Sequence, residues 1–150
     1  MAHIGSDRLM PAALGVLRDL GYHPREKRPL GCTSRNVYCY EKDGKEEFIL
    51  VQCRSHQDET DRYLVGVIVE ALRQVNSVVL FLEGEPSILK IPAEFLRRIH
   101  EDRAKIGDAR YTGPHNEQWR IDVYLSDAEM SPQGSSGHRY NIMPYVVRLA

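Results

Sequence analysis

The sequence predicts an α/β fold with a mixed central sheet, in which an antiparallel hairpin and a βαβ crossover are flanked by helices on both faces. Three observations predict this class. Two β-rich runs surround Asp43-Gly44, a longer segment up to Val75 repeats apolar side chains at helical spacing, and Val78 to Leu82 is continuously apolar. A strand, a helix and a further strand in this order imply a right-handed crossover between parallel strands.

The first predicted element is a helix over roughly Asp7 to Leu20. Gly21 follows the helix and suits a left-handed C-terminal cap. From Tyr22 to Leu30 the chain is polar and contains two prolines, so we expect a loop with at most a short edge strand. Met1 to Ser6 resembles an expression leader or a disordered start, and residues 7–150 are expected to form one globular domain. The apolar positions at helical spacing are Met10, Ala13, Leu14 and Leu17.

The hairpin pairs Val37 to Glu41 with Phe48 to Arg54 and can form in two registers. A two-residue loop, Asp43-Gly44, would set Lys42 opposite Lys45. A three-residue loop that also includes Lys42 would pair Glu41 with Lys45 instead. Because like charges directly opposite each other are destabilising, the sequence favours the three-residue loop.

Two helices and a strand are predicted after the hairpin. The stretch "HQDETDRYLVGVIVEALRQVN" predicts a helix from about Thr60 to Val75. The apolar strand Val78 to Leu82 should then lie parallel to Phe48 to Arg54, and the helix should cover one face of the pair. Pro92 suits the start of a third helix. That helix should bury Phe95, Leu96 and Ile99.

The last third of the chain predicts strands and a loop. "QWRIDVYLS" alternates Trp119, Ile121 and Val123 with polar residues, which is typical of a strand with one solvated face. Residues 131–138, "SPQGSSGH", predict a loop, and "YVVRLA" at the end predicts a final strand.

The stretch "SRNVYCYEKDGKEEFILVQCRSH", residues 34–56, ends its second strand in Gln-x-Arg. Together with the order helix, hairpin, helix, strand over residues 10–83, it resembles the core of the PD-(D/E)XK, or restriction-endonuclease-like, superfamily. In that family an acidic residue near the start of one core strand and Glu-x-Lys or Asp-x-Lys on the next bind a divalent metal and activate water. The matching positions here, implied as degenerate catalytic positions, are Asn36, Gln52 and Arg54.

All three residues differ from those of the family pattern, and these differences change the chemistry expected at the site. Mg²⁺ prefers charged oxygen ligands, whereas Asn36 and Gln52 offer neutral carbonyl oxygens. Arg54 stays protonated and cannot take a proton from water, but its planar fork can hold a phosphate. The three-residue loop would place all three side chains on one face. We therefore expect an atypical or inactive nuclease site with no metal, and phosphate binding there.

Displaced carboxylates could still rescue a Mg²⁺ site near the hairpin or the following helix start. The alternative is that these residues form a solvated strand end and a helix cap. The candidates are Glu41, Glu47, Asp58 and Glu59.

A net charge of −1 argues against nucleic-acid binding by bulk electrostatics, so any such surface must be local. The basic candidates for binding DNA or RNA are Arg25, Lys27, Arg28 and Arg35, although charges of this kind also guard ordinary loops and edge strands. The competing hypothesis is a non-enzymatic domain that binds a protein partner. A contiguous positive patch that also includes Arg54 would favour nucleic acid, and an exposed apolar patch would favour a protein.

Two further possibilities follow from single residue types. His56, His115 and His138 could supply a general base and acid for a metal-independent ribonuclease. Tyr38 and Tyr40 could stack nucleobases, although tyrosines that alternate along a strand more often pack in the core.

The composition indicates the cellular location of the protein and the state of its cysteines. No apolar run approaches the roughly 18 residues of a membrane span, so no membrane partner is expected and the cytoplasm is the predicted location. Three cysteines without a Cys-x-x-Cys pair fit reduced thiols better than disulfides or zinc.

Overall fold

A mixed six-stranded sheet forms the middle of the structure, a computed structural model that describes residues 3–55, 62–105, 118–132 and 139–149. Only β3 and β5 are parallel neighbours within it. With strands numbered along the chain, the order across the sheet is β1 (His23–Arg25), β2 (Val37–Lys42), β3 (Lys45–Arg54), β5 (Ser77–Leu82), β6 (Ser87–Pro92) and β10 (Val146–Arg148).

A second sheet and three helices complete the described part of the chain. The second sheet is antiparallel and contains β4 (Arg62–Ile68), β7 (Gln118–Tyr124), β8 (Glu129–Pro132) and β9 (Tyr140–Asn141), in that order. The helices are α1 (His3–Asp19), α2 (Val69–Leu72) and α3 (Ala93–Lys105), and a 3₁₀ turn spans Met143–Tyr145.

Helix α1 covers one face of the six-stranded sheet. Leu9, Ala13 and Leu17 are buried in a cluster with Ile49 and Val51 of β3. The helix begins at His3, four residues before the predicted start. It ends as predicted, because Gly21 has a φ of 96° and the amide of Tyr22 donates to the Leu17 carbonyl at 3.0 Å.

The hairpin forms in the other register from the one predicted. Lys42 pairs directly with Lys45, so the loop has two residues and the predicted three-residue loop is wrong. Asp43 and Gly44 both have positive φ, 55° and 81°, which a type I′ turn requires. The twist of this turn matches the flanking strands, and that advantage outweighs the repulsion between the two lysines.

The two central strands lie as predicted. β3 pairs in parallel with β5 from Ile49↔Ser77 to Arg54↔Leu82, and β2 lies on the other side of β3. The prediction of a mixed α/β sheet with an antiparallel hairpin and a parallel crossover is therefore confirmed.

The crossover itself is not the predicted helix from Thr60 to Val75. Arg62–Ile68 forms strand β4 of the second sheet, and only the single turn α2 is helical. The local pattern fits both structures, because Tyr63, Val65 and Val67 also alternate into the core between the sheets. Residues 50 to 62 positions away in β7 pair with this segment, and that pairing stabilises the strand rather than the helix.

The remaining predictions are mostly confirmed. Helix α3 begins at Ala93, directly after Pro92, and buries Leu96 and Ile99, with Phe95 partly buried. The predicted strands correspond to β7 and β10, but β6 was not predicted. Of the predicted loop 131–138, Ser131 and Pro132 belong to β8, and residues 133–138 lie outside the described residues.

Two hydrophobic clusters pack on opposite faces of the six-stranded sheet. The cluster opposite α1 is formed by the second sheet together with α2 and α3, for example Trp119, Leu72 and Leu96. Helices therefore contact both faces, as the sequence predicts. In the described ranges, no helix combines the length and hydropathy of a membrane span.

Candidate functional site

Asn36 lies apart from the other two positions that match the nuclease motif. Its carbonyl accepts a hydrogen bond from the amide of Val51 at 2.9 Å, which places it opposite Val51 in the hairpin register. Side chains on β3 alternate, so Val51 faces α1 while Gln52 and Arg54 face the second sheet. The expectation that all three residues share a face is wrong, because it required the three-residue loop.

Arg54 connects the two sheets. Its Nε donates to the carbonyl of Leu64 in β4 at 2.9 Å, and its Nη1 donates to the carbonyl of Cys53 at 3.2 Å. Burial lowers the pKa of the guanidinium. Gln52, two residues earlier, is only 8% exposed. The Gln52 and Arg54 positions therefore lie in the packed interface between the sheets, where Arg54 satisfies backbone carbonyls.

Three of the four predicted basic residues form ion pairs or hydrogen bonds within the protein. Lys27 lies 2.8 Å from Glu46, and this hydrogen bond raises the pKa of Lys27. Arg25 lies 3.9 Å from both Glu46 and Glu41. Arg28 donates to the carbonyl of Ser34 and, at 3.5 Å, to that of Val37. These contacts do not produce the contiguous free positive patch that the nucleic-acid hypothesis anticipated.

All four residues are exposed, but Arg35 differs from the other three because it lines a cleft of about 360 Å³. One wall is the turn before β2, and the other is the end of β4 with α2 and the residues after it. This volume lies within the range of about 300–1,000 Å³ typical of small-molecule pockets. The Arg35 cleft is lined by Thr33, Ser34, Arg35, Asn36, Ile68, Glu70, Ala71 and Gln74.

The Arg35 cleft combines opposite charges with neutral hydrogen-bonding groups. Among the described residues, neither Arg35 nor Glu70 takes part in an ion pair, and Glu70 is exposed. Gln74 carries an amide that can donate and accept. The Gln74 amide also donates weakly to the carbonyl of Leu30 at 3.4 Å. The cleft can therefore hold a ligand with an anionic group and with hydrogen-bond donors.

Sequence reasoning identified one wall of this cleft but not the other. It proposed Arg35 and Asn36, and the structure brings both to the cleft. Glu70 and Gln74 belong to the segment that the sequence predicts as one long helix, and neither was proposed as a site residue. Their position depends on β4 joining the second sheet, which the sequence did not predict.

The proposed Mg²⁺ rescue carboxylates do not converge in the described residues. Glu41 faces Arg25, and Glu47 lies 3.1 Å from the Lys90 ammonium and accepts a hydrogen bond from Ser77 at 2.8 Å. Asp58 and Glu59 lie outside the described residues. Within the described ranges, no cluster of three His, Cys, Asp or Glu side chains is arranged to hold a metal ion.

The residues proposed for histidine catalysis, His56, His115 and His138, lie outside the described residues. Of the tyrosines proposed to stack bases, Tyr40 is buried and its ring centroid lies 6.2 Å from that of Tyr22. Tyr38 is half-buried beside it at 6.3 Å. Burial raises the pKa of both hydroxyls. Both tyrosines pack in the cluster beneath α1, so Tyr40 has no free ring face for a base.

No family model, curated protein or solved structure matches this chain. The class of this protein is therefore described from its own fold and cleft. It is an α/β domain in which a helix, a mixed sheet and a second antiparallel sheet form layers, with a polar cleft beside the hairpin.

Proposed function

We propose that this chain binds single-stranded nucleic acid without metal-dependent cleavage, and that one unpaired nucleotide enters the Arg35 cleft. The observation that carries the proposal is the cleft itself. It sets an unpaired guanidinium and an unpaired carboxylate beside the amide of Gln74 in about 360 Å³.

Each group in the cleft has a counterpart in a nucleotide. The Arg35 guanidinium offers two parallel N–H donors, the geometry that a phosphate accepts. The Glu70 carboxylate can accept from the N–H groups of a base, and the Gln74 amide can both donate and accept at a base edge. Exposed base edges of this kind belong to unpaired nucleotides.

The surface favours a single strand over a duplex. A duplex is usually bound by many cationic contacts along its backbone. Here the net charge is −1, and Arg25 and Lys27 already face Glu46. A concave site suits an unpaired base that leaves the strand and enters it.

The absence of metal-dependent cleavage follows from the residues at the motif positions. Asn36 and Gln52 are neutral and lie on different faces of the hairpin, and Arg54 donates to backbone carbonyls. A relation to PD-(D/E)XK enzymes remains a hypothesis. The parallel pair β3 and β5 supports it, whereas β4 replaces the long helix of the expected order.

The alternative of a protein-interaction domain has less support. In the described ranges, the large hydrophobic side chains that are exposed are Leu30 and Met143, fewer than an interface patch of several hundred Å² needs. Cys32, Cys39 and Cys53 form no disulfide with one another, which supports a reducing compartment such as the cytoplasm.

Fluorescence anisotropy with short labelled oligonucleotides tests the proposal. Single-stranded DNA and RNA should bind more tightly than duplexes, equally well in EDTA and in Mg²⁺, and should remain intact. Arg35→Ala should weaken binding and reduce the salt slope by about one unit, because one phosphate contact is lost. Arg148→Ala removes an exposed arginine from β10, away from the cleft, and should change neither quantity.

A second variant separates base contacts from phosphate contacts. Glu70→Ala should reduce the preference among homopolymers of the four bases while leaving the salt slope unchanged. Equal effects of Arg35→Ala and Arg148→Ala, or Mg²⁺-dependent cutting that Gln52→Ala abolishes, would overturn the proposal.

A further inference from the structure

A second cavity lies at the tip of the hairpin, on the face that α1 covers. Its volume is about 450 Å³. Lys42 and Lys45 stand directly opposite each other at its edge. The hairpin-tip cavity is lined by Tyr22, Lys42, Asp43, Lys45, Glu46, Glu47 and Asn76.

The facing lysines are an unfavourable pair that the turn imposes. Like charges directly opposite in an antiparallel ladder destabilise the pairing. Among the described residues, neither Lys42 nor Lys45 makes an ion pair that would offset this repulsion. The two ammonium groups therefore have no ion-pair partner within the described protein.

Lys42 is held in place before any ligand binds. Its Nζ lies 4.7 Å from the centroid of the Tyr22 ring, within the distance of a cation–π contact. Its Cε would lie 3.7 Å from a Cβ at Gly21, so the stem runs along the C-terminal cap of α1. Lys90 approaches the same ring at 5.6 Å. A cation fixed in this way loses less side-chain entropy when it binds an anion.

The acidic residues around the cavity are largely neutralised by other partners. Glu46 lies 2.8 Å from Lys27 and 3.9 Å from Arg25. Glu47 lies 3.1 Å from Lys90. Asp43, exposed in the turn, is the remaining carboxylate of the cavity lining. Lys42 and Lys45 against Asp43 leave one excess positive charge.

We infer that the hairpin-tip cavity binds a dianionic phosphoryl group, such as a phosphate monoester or pyrophosphate, between Lys42 and Lys45. A dianion has charged oxygens for both ammonium groups at once, whereas a phosphodiester or chloride carries a single negative charge. The inference is independent of the Arg35 cleft. That cleft lies before β2, whereas this cavity lies at the far end of the hairpin, after β2.

The test uses the whole chain with inorganic pyrophosphate as the probe, at constant ionic strength. Pyrophosphate should raise the midpoint of thermal unfolding and bind in calorimetry. Lys45→Gln should weaken that binding roughly tenfold or more, since one charged hydrogen bond is lost. In phosphate-free buffer the same variant should be as stable as the wild type or more stable, because the repulsion is relieved.

Two controls separate the sources of the phosphoryl group and the role of net charge. An oligonucleotide without terminal phosphates should not compete with pyrophosphate, whereas phosphate monoesters should. Arg148→Gln removes one positive charge from another edge of the sheet and should leave pyrophosphate binding unchanged. Pyrophosphate binding of wild-type strength in Lys45→Gln, competition by the phosphodiester, or a loss of stability in phosphate-free Lys45→Gln would overturn the inference.

Discussion

A charged side chain in this protein can have a role that its sequence position does not reveal. Arg54 ends a strand in a pattern that resembles a nuclease motif, which suggests phosphate binding. In the folded chain its guanidinium reaches the carbonyl of Leu64 on β4, an edge strand of the second sheet. An edge strand has unpaired backbone groups, and Arg54 satisfies one of them while joining the sheets. This contact gives Arg54 a structural role.

Removing the Arg54 side chain should destabilise the fold. Arg54→Ala leaves a carbonyl between the sheets without its charged donor, and such a hydrogen bond contributes about 1.5–3 kcal/mol to stability. Urea unfolding should show a loss of that order, with oligonucleotide affinity unchanged in the folded protein. Arg148→Ala, an exposed control, should stay within about 0.5 kcal/mol of the wild type. Equal stability of the two variants would refute the structural role.

His100 should make stability depend on pH. It is buried against Trp119, at 5.2 Å between ring centroids. Burial and the positive charge of Arg73 lower its pKa from 6.5, and Glu101 opposes the shift. The unfolded chain thus binds the proton more readily. The contribution of His100 to stability is full above pH 6.5 and is lost as the pH falls through the folded-state pKa.

The His100 contribution can be measured with a variant that keeps the aromatic ring. His100→Phe should flatten the dependence of the free energy of unfolding on pH between about pH 5 and pH 8. The exposed His23, changed to Gln, serves as the control. A slope of the same size in His100→Phe and the wild type would assign the pH dependence to other groups.

Single elements differ in how far the sequence determines them. Helix α1, its Gly21 cap and strands β3 and β5 follow from local pattern, because each has one dominant periodicity and clear end signals. The segment that became β4 satisfies helical and alternating patterns at once. Its outcome depends on a distant partner, β7, and the helical prediction failed there. Because the second wall of the Arg35 cleft depends on the position of β4, that wall was not predicted either.

In the hairpin turn, the local preference of Asp43-Gly44 for a two-residue loop is stronger than the repulsion between the facing lysines, on which the prediction of a three-residue loop was based. Asp43-Gly44 provides two positive φ angles, and this preference exceeds the cost of facing lysines. Gly44→Ala should cost about 1–2 kcal/mol, because a side chain is disfavoured at positive φ. Nothing lies within 4 Å of the added Cβ, so the cost is conformational.

Gly15→Ala offers a matched control of opposite sign. Gly15 lies inside α1, where an added Cβ also meets nothing within 4 Å. There the substitution should stabilise the protein by about 0.4–1 kcal/mol. Thermal unfolding of both variants distinguishes the turn geometry. A neutral Gly44→Ala would contradict the type I′ turn.

At the scale of the whole molecule, the six-stranded sheet packs against a separate hydrophobic cluster on each of its two faces. The α1 side is built mainly from α1, the hairpin and β5, which were predicted, together with Ile88 of β6, which was not. The other side joins β3, β4 and α2 to the distant strand β7, and the Arg35 cleft opens at its margin. The fold class was therefore predictable from the central strands, whereas the cleft required the long-range arrangement of the second sheet.

Amide chemical-shift mapping of the ¹⁵N-labelled protein with an unlabelled single-stranded oligonucleotide tests the central proposal most directly. The largest shifts should fall on Thr33 to Asn36 and on Ile68 to Gln74, the two walls of the cleft. They should be lost in Arg35→Ala and kept in Arg148→Ala. Shifts absent from both walls, or unchanged in Arg35→Ala, would contradict nucleic-acid binding at the Arg35 cleft.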